Sequence, residues 1–208
     1  MFSGEIMTKD QEKLSVDEAI SKLSDDDVEL RKLAVNSLEG VEDEKVIEPL
    51  IMALNDENTP VRHKAAENLG NLNGELGDLA VDRLLEVADN EEGEYKRFAS
   101  FALKASGSDK AIDYFSKSIN DEDFGVRKVA VRSLGELKVT SKIDDIEKIM
   151  LEEEDWGVRL AAIRALGDME VEEAITPIKK ARRKEKDKDF KKAANKAIKK
   201  IEKSIKKK

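Results

Sequence analysis

Imidazole is the usual general base and the commonest metal ligand of proteins, and this chain holds one, His63. No second histidine and no cysteine accompanies it, while a zinc-type site takes three or four ligands. His63 directly follows Arg62 in a pattern that reads as a solvated helix face. No Ser/His/Asp or Cys/His set can be built. The segment Gly70-x-x-x-Gly74-x-x-Gly77 has the spacing of a glycine loop, but no Lys-Ser/Thr follows it, and a helical pattern precedes it where a phosphate loop needs a strand. With 46 acidic residues in the chain, the presence of paired carboxylates is uninformative. No catalytic, cofactor-binding or metal-ligating residue is therefore assigned, and the chain is expected not to be an enzyme.

A far stricter pattern is cationic. Arg31, Arg62, Lys96, Arg127, Arg159 and Lys191 follow Leu30, Val61, Tyr95, Val126, Val158 and Phe190. Three residues after each cation stands an alanine: Ala34, Ala65, Ala99, Ala130, Ala162 and Ala194. Four further on come Leu38, Leu69, Leu103, Leu134, Leu166 and Ile198. The alanines recur at spacings of 31, 34, 31, 32 and 32 residues. A fixed period of this size marks a solenoid, in which each repeat packs only on its neighbours. A cation present in every unit serves the stack, so function is sought in what differs between copies.

Each repeat reads as two helices. The apolar residue, the alanine and the leucine lie at i, i+4 and i+8, one stripe of a first helix. Three residues before the stripe stand Asp27, Asn58, Glu92, Asp123, Asp155 and Asp187. Five of these are good N-caps, each worth about 1 kcal/mol; at Glu92, Asn90 or Gly93 is expected to take over. The alanine allows close backbone approach. Gly70, Gly135 and Gly167 follow the leucine and suit helix ends. Second helices carry stripes spaced i, i+3, i+7: Ile47, Leu50, Leu54; Val81, Leu84, Ala88; Ile112, Phe115, Ile119; Ile143, Ile146, Met150; Ile175, Ile178. Repeat two keeps this register only with three inserted residues, placed in the Gly- and Asn-rich segment 71–77.

The expected domain is one solenoid over residues 13–205. A half-repeat helix (13–24) opens with the capping box Ser15-Val16-Asp17-Glu18. Repeats follow at 25–54, 55–88, 89–119, 120–151 and 152–182, and a basic cap helix at 183–205. Residues 1–12 and 206–208 read as fraying ends. The longest apolar runs are a few residues, too short to span a membrane, and no secretory signal opens the chain, so a cytoplasmic protein is expected. Charged residues make up 40% of the chain and aromatics 4%, which suits stacked amphipathic helices. Net charge is −8 overall, but residues 1–178 carry −20 and residues 179–208 carry +12.

The recurring acidic-x-Asp-x-x-Val-Arg-x-x-Ala-x-x-x-Leu-Gly resembles the short HEAT-like repeats of the phycobilisome-lyase type. Its fullest copies are residues 121–137 and 153–169, and the segment 92–107 departs most, with Tyr95-Lys96 for Val-Arg. The resemblance covers about Val16 to Ile205. It implies an all-α, right-handed α-α superhelix of about five helix pairs with half-repeat caps. It also implies a ladder in which the repeated arginine pairs with an acidic residue of an adjacent turn, here Asp25, Asp56, Asp121, Glu153 and Glu185, with Asn90 as the exception. Bilin lyases share the repeat, but a shared fold is poor evidence for their activity. Deoxyhypusine hydroxylase, in the wider family, holds di-iron through repeated His-Glu pairs, and this chain has none.

Three features differ between copies. Glu48, Asp82, Asp113 and Asp144 form an acidic row near the starts of the second helices, which usually line the concave face of such solenoids. The row suits a basic partner, and it equally complements helix dipoles, at about 0.3–1 kcal/mol each. Phe124 and Trp156 occupy one position in adjacent repeats, as a binding hot spot or as cover for the core edge. Arg182, Arg183, Lys184, Lys191, Lys192, Lys199 and Lys200 concentrate cations in the last helices. They suit a polyanion, a solvated cap, or head-to-tail contact with the acidic body of another copy. Phe190 is the only aromatic among them, so stacked bases are not provided for. The expected function is a non-catalytic scaffold that docks a basic protein along its second helices. Nucleic-acid or ribonucleoprotein binding through the basic end is the alternative, and an enzyme of the family comes third.

Overall fold

The computed structural model describes residues 13–207. The N-terminal segment expected to fray, 1–12, and Lys208 lie outside the described residues. The helices are α1 (Val16–Lys22), α2 (Val28–Ser37), α3 (Ile47–Ala53), α4 (Thr59–Gly70), α5 (Gly74–Asn90) and α6 (Gly93–Ser106). They continue with α7 (Asp109–Ser118), α8 (Phe124–Glu136), α9 (Ile143–Glu152), α10 (Trp156–Met169), α11 (Ile175–Lys184) and α12 (Lys188–Ile205). Short 3-10 turns at Glu44–Val46, Thr140–Lys142 and Glu172–Ala174 lead into α3, α9 and α11. First helices α2, α4, α6, α8, α10 and α12 pack each on the next, and the second helices α3, α5, α7, α9 and α11 form a second layer against them. Helix α1 covers α2 at one end, and α12 covers α10 and α11 at the other. A single buried apolar cluster runs from Ala19 to Ile201. This is an α-solenoid of five helix pairs between two single helices. Among the described residues no helix is long and apolar enough to cross a membrane.

The helix starts follow from their caps. Ser15 accepts the Glu18 N–H while Glu18 accepts the Ser15 N–H, closing the box. Asp27, Asn58, Asp123, Asp155 and Asp187 each accept a backbone N–H of their helix. Glu92 makes no such bond. Neither expected substitute replaces it: the Asn90 amide donates back to the Glu86 carbonyl, and Gly93 has no side chain. The inserted residues lie where the sequence places them, but only Asn71, Leu72 and Asn73 form the turn. The rest extend α5 to 17 residues.

The glycines after the leucine need a different explanation. Gly70, Gly135 and Gly167 lie within helices and none has positive φ. They sit where consecutive first helices touch. A Cβ on Gly70 would stand 2.3 Å from the Ala105 Cβ, one on Gly135 2.4 Å from the Ala165 Cα, and one on Gly167 2.8 Å from the Ala197 Cβ. The left-handed residues that close helices are others, among them Gly107 after α6 and Glu170 after α10. At the glycine's position the first repeat has Glu39, just past the end of α2, and α6 carries Lys104, and those two helices lie less closely on the next first helix.

The cation ladder is built as the repeat implies. Arg31 bonds Asp56 at 2.7 Å, Lys96 bonds Asp121 at 2.8 Å, Arg127 bonds Glu153 at 2.8 Å and Arg159 bonds Glu185 at 2.7 Å. Each acid also accepts the N–H two residues on, fixing its turn. Arg31 and Arg127 donate in addition to carbonyls of their own turns, Asp25 and Asp121 among them. One guanidinium thus joins two consecutive turns. The ladder breaks at Asn90: Arg62 still donates to the Asp56 and Glu57 carbonyls of its own turn, but its one ion pair among the described residues is with Glu94, at 3.6 Å, and its Nε is buried without a partner.

The ladder predicts a pH response. Arg127 hydrogen bonds, backed by the Asp155 N–H, outweigh burial and hold the Glu153 carboxyl below its usual range. The Asp187 N–H and then Arg159 do the same for Glu185. A carboxyl with a lowered folded pKa stabilises fully above its unfolded value and loses that contribution as pH falls through the folded one. The urea midpoint is therefore expected to hold from pH 7 to about 5 and to fall below about 4. A midpoint that rises on acidification contradicts the ladder's role.

Candidate functional site

The acidic row lies one residue after the start of each second-helix stripe, so Glu48, Asp82, Asp113 and Asp144 point out of α3, α5, α7 and α9 and are all exposed. Their electrostatics differ. Both oxygens of Glu48 accept from Arg83 of α5, which lowers its pKa. Asp82 accepts from Lys110 of α7 at 2.5 Å. Each cation belongs to the following repeat, so half of the row is neutralised from within the stack. Asp113 and Asp144 have no ion-pair partner among the described residues. Three residues after Asp144, burial and then the charges of Asp144 and Glu173 push the Glu147 carboxyl pKa up. On α9 the acids Asp144, Asp145, Glu147 and Glu152 stand against the single cation Lys148.

Phe124 and Trp156 begin α8 and α10 and are 48% and 44% exposed. They stand outside the buried cluster, so they do not close the core edge as one of their two readings required. They also belong to first helices, whereas the acids belong to second helices. The structure does not bring the two sets together. The two rings differ from each other as well. The Arg97 guanidinium lies 5.6 Å over Phe124, held there by Asp123 and Glu94. Trp156 instead opens onto a groove between α10 and α12.

The basic end is a packed helix. Phe190, Ala194, Ala197, Ile198 and Ile201 of α12 are buried, and the Arg159 guanidinium lies 4.8 Å over the Phe190 ring. Lys200 pairs with Asp168 at 2.7 Å, and Arg182 donates to Asn195. Arg183, Lys184, Lys191, Lys192 and Lys199 are exposed with no ion-pair partner among the described residues. His63 is exposed and meets Phe98 edge-on at 4.9 Å, with Phe101 at 6.0 Å. Among the described residues no group of three or more His, Cys, Asp or Glu is placed to hold a metal.

The sequence pattern overlooked Leu160, Arg164, Ala193 and Lys196, which line the groove with Trp156. A signal existed. The position of Leu160 holds Lys32, His63, Arg97, Lys128 and Lys192 in the other copies. It is apolar only where a Trp stands four residues before it.

Two layers of paired helices, a repeating cap and a cation ladder define a helical-repeat solenoid. The model of the family "HEAT repeats" matches residues 16–104, 81–153 and 112–199. The chain belongs to the HEAT-repeat family. Among solved structures, the complex of CpcE and CpcF of phycocyanin lyase from Nostoc sp. PCC7120 is similar at 21% identity and a TM-score of 0.54, over 93% of this chain and 79% of that one. A designed armadillo repeat protein in complex with the peptide (KR)4 is similar at 18% identity and a TM-score of 0.53, over 90% of this chain and 100% of that one. Human deoxyhypusine hydroxylase is similar at 18% identity and a TM-score of 0.50, over 90% and 84%. At such identities the likeness is one of fold. No curated protein matches the sequence significantly.

Proposed function

We propose that the chain is a protein-interaction scaffold that takes a basic, extended segment on its second-helix face, centred on Asp113 and Asp144. One observation carries this reading. Both acids are exposed and lack ion-pair partners among the described residues, and the Glu147 carboxyl beside Asp144 is pushed up in pKa by burial, Asp144 and Glu173. Crowded carboxylates of this kind are relieved by a cation. Intramolecular cations satisfy Glu48 and Asp82, so the docking centre moves from the whole row to its α7–α9 half. The peptide (KR)4 named with the designed armadillo protein is of the chemistry that this face suits. The lyase and hydroxylase likenesses supply a fold and no reacting group in this chain.

The test is a titration of a fluorescent alternating Lys-Arg peptide. Asp113→Lys with Asp144→Lys is expected to weaken binding roughly tenfold or more at low salt, with helix content unchanged because both residues are exposed. Unchanged binding by that double variant removes the reading.

A second reading is favoured by Arg183, Lys184, Lys191, Lys192 and Lys199, which have no ion-pair partner among the described residues. It assigns them to a polyanion. Deleting α12 would uncover the faces of α10 and α11 that it packs against, so substitution is the cleaner probe. Lys191→Gln, Lys192→Gln and Lys199→Gln together are expected to reduce salt-dependent binding to a DNA oligomer if this reading holds.

A further inference from the structure

We infer that the groove between α10 and α12 is a second docking site, on the first-helix layer, for an acidic peptide segment anchored by one bulky apolar side chain. The groove has a volume of about 560 Å3. Helical spacing explains its construction. Trp156, Leu160 and Arg164 follow one another at i, i+4 and i+8 along α10, and Lys192 and Lys196 face them from α12 at i, i+4. Residues four apart share a helix face, so each helix presents one line of side chains to the groove. Trp156 to Asp168 spans about 18 Å at the helical rise.

The walls combine two chemistries. The half-exposed Trp156 ring, Leu160 and Ala193 supply apolar surface. Arg164, Lys192 and Lys196 form a cationic rim, and none has an ion-pair partner among the described residues. The Lys200–Asp168 pair, at 2.7 Å, closes the far end. Asp189 is the single lining acid without a partner cation, so three free cations face one free acid. Arg97 covers Phe124, the counterpart of Trp156, and among the described residues no cation covers Trp156 itself. An exposed Trp beside apolar walls is the composition of a binding hot spot, and the rim selects negative charge around the anchor. Single-stranded nucleic acid fits less well, because it takes successive aromatic platforms and this groove holds one ring and two carboxylates. The site does not rest on the second-helix reading. It lies on the other layer and prefers the opposite charge, so the two together would make an adaptor between unlike partners.

Trp156 is the only tryptophan in the chain, so its emission reports on this groove alone. The full chain would be titrated with a capped peptide of Glu and Asp around a single Leu, with the same peptide carrying Lys for each acid, and with a DNA oligomer. The acidic peptide is expected to give a saturable blue shift and the Lys peptide none. Lys192→Glu with Lys196→Glu should weaken the acidic peptide roughly tenfold. Lys199→Glu with Lys203→Glu, on α12 but outside the groove, should leave its affinity within about twofold. The proposal is overturned by no shift with the acidic peptide, by an equal shift with the Lys peptide, by equal weakening in the two double variants, or by tighter binding of the DNA oligomer.

Discussion

Asp56→Ala is expected to destabilise the protein by about 3 kcal/mol or more, the loss typical of breaking one side of a buried ion pair. The Asp56 side chain is 7% exposed and that of Arg31 8%. Asp56 accepts both Nε and Nη2 of Arg31, and also the Asn58 N–H that shapes the turn into α4. Its removal strands a buried guanidinium and loosens the junction between the first two repeats. The exposed neighbour Glu57 also contacts Arg31, yet at 83% exposure its removal should cost no more than about 1 kcal/mol. Urea denaturation followed by circular dichroism compares the two directly. Because each repeat packs only on its neighbours, hydrogen exchange in Asp56→Ala should quicken first in α1 to α3. A loss below about 1 kcal/mol for Asp56→Ala would mean that the ladder is surface decoration.

The second large effect has a sign opposite to helix propensity. Alanine is favoured over glycine inside a helix by about 1 kcal/mol, so Gly135→Ala in α8 would stabilise if propensity decided. The added Cβ would stand 2.4 Å from the Ala165 Cα and 2.5 Å from its Cβ. Backbone atoms cannot step aside as a side-chain tip can, and overpacking costs about 1–3 kcal/mol. Net destabilisation is expected, larger for Gly135→Val. Lys104 occupies the same position in α6 and reaches out to Glu136 at 3.0 Å, so Lys104→Ala should change stability by no more than about 1 kcal/mol. Thermal melts of the three variants separate packing from propensity.

The contrast between these positions explains what the sequence made legible. Caps, apolar stripes and the cation ladder lie at fixed offsets within a repeat, so a single chain displays each of them several times. Gly135 was visible but misassigned: a glycine near a helix end looks alike whether it ends the helix or admits a neighbour, and only the position of Ala165 decides. The acidic row was read as uniform because Arg83 and Lys110 sit at different offsets from their partners Glu48 and Asp82. Pairs of that kind carry no period. The groove was missed for a related reason. Trp156 and Leu160 depart from the repeat on α10, but their effect depends on Ala193 and Lys196 of another helix.

We propose that function resides in positions where the repeats differ, foremost Asp113 and Asp144 on the second helices. The most direct measurement is a hydrogen-exchange footprint of the full chain with and without an alternating Lys-Arg peptide. Protection is expected in α7, α9 and the start of α11, with α8, α10 and α12 unchanged and the footprint lost in the Asp113→Lys, Asp144→Lys variant. Protection confined to the first helices, or a footprint that survives the double variant, contradicts the claim.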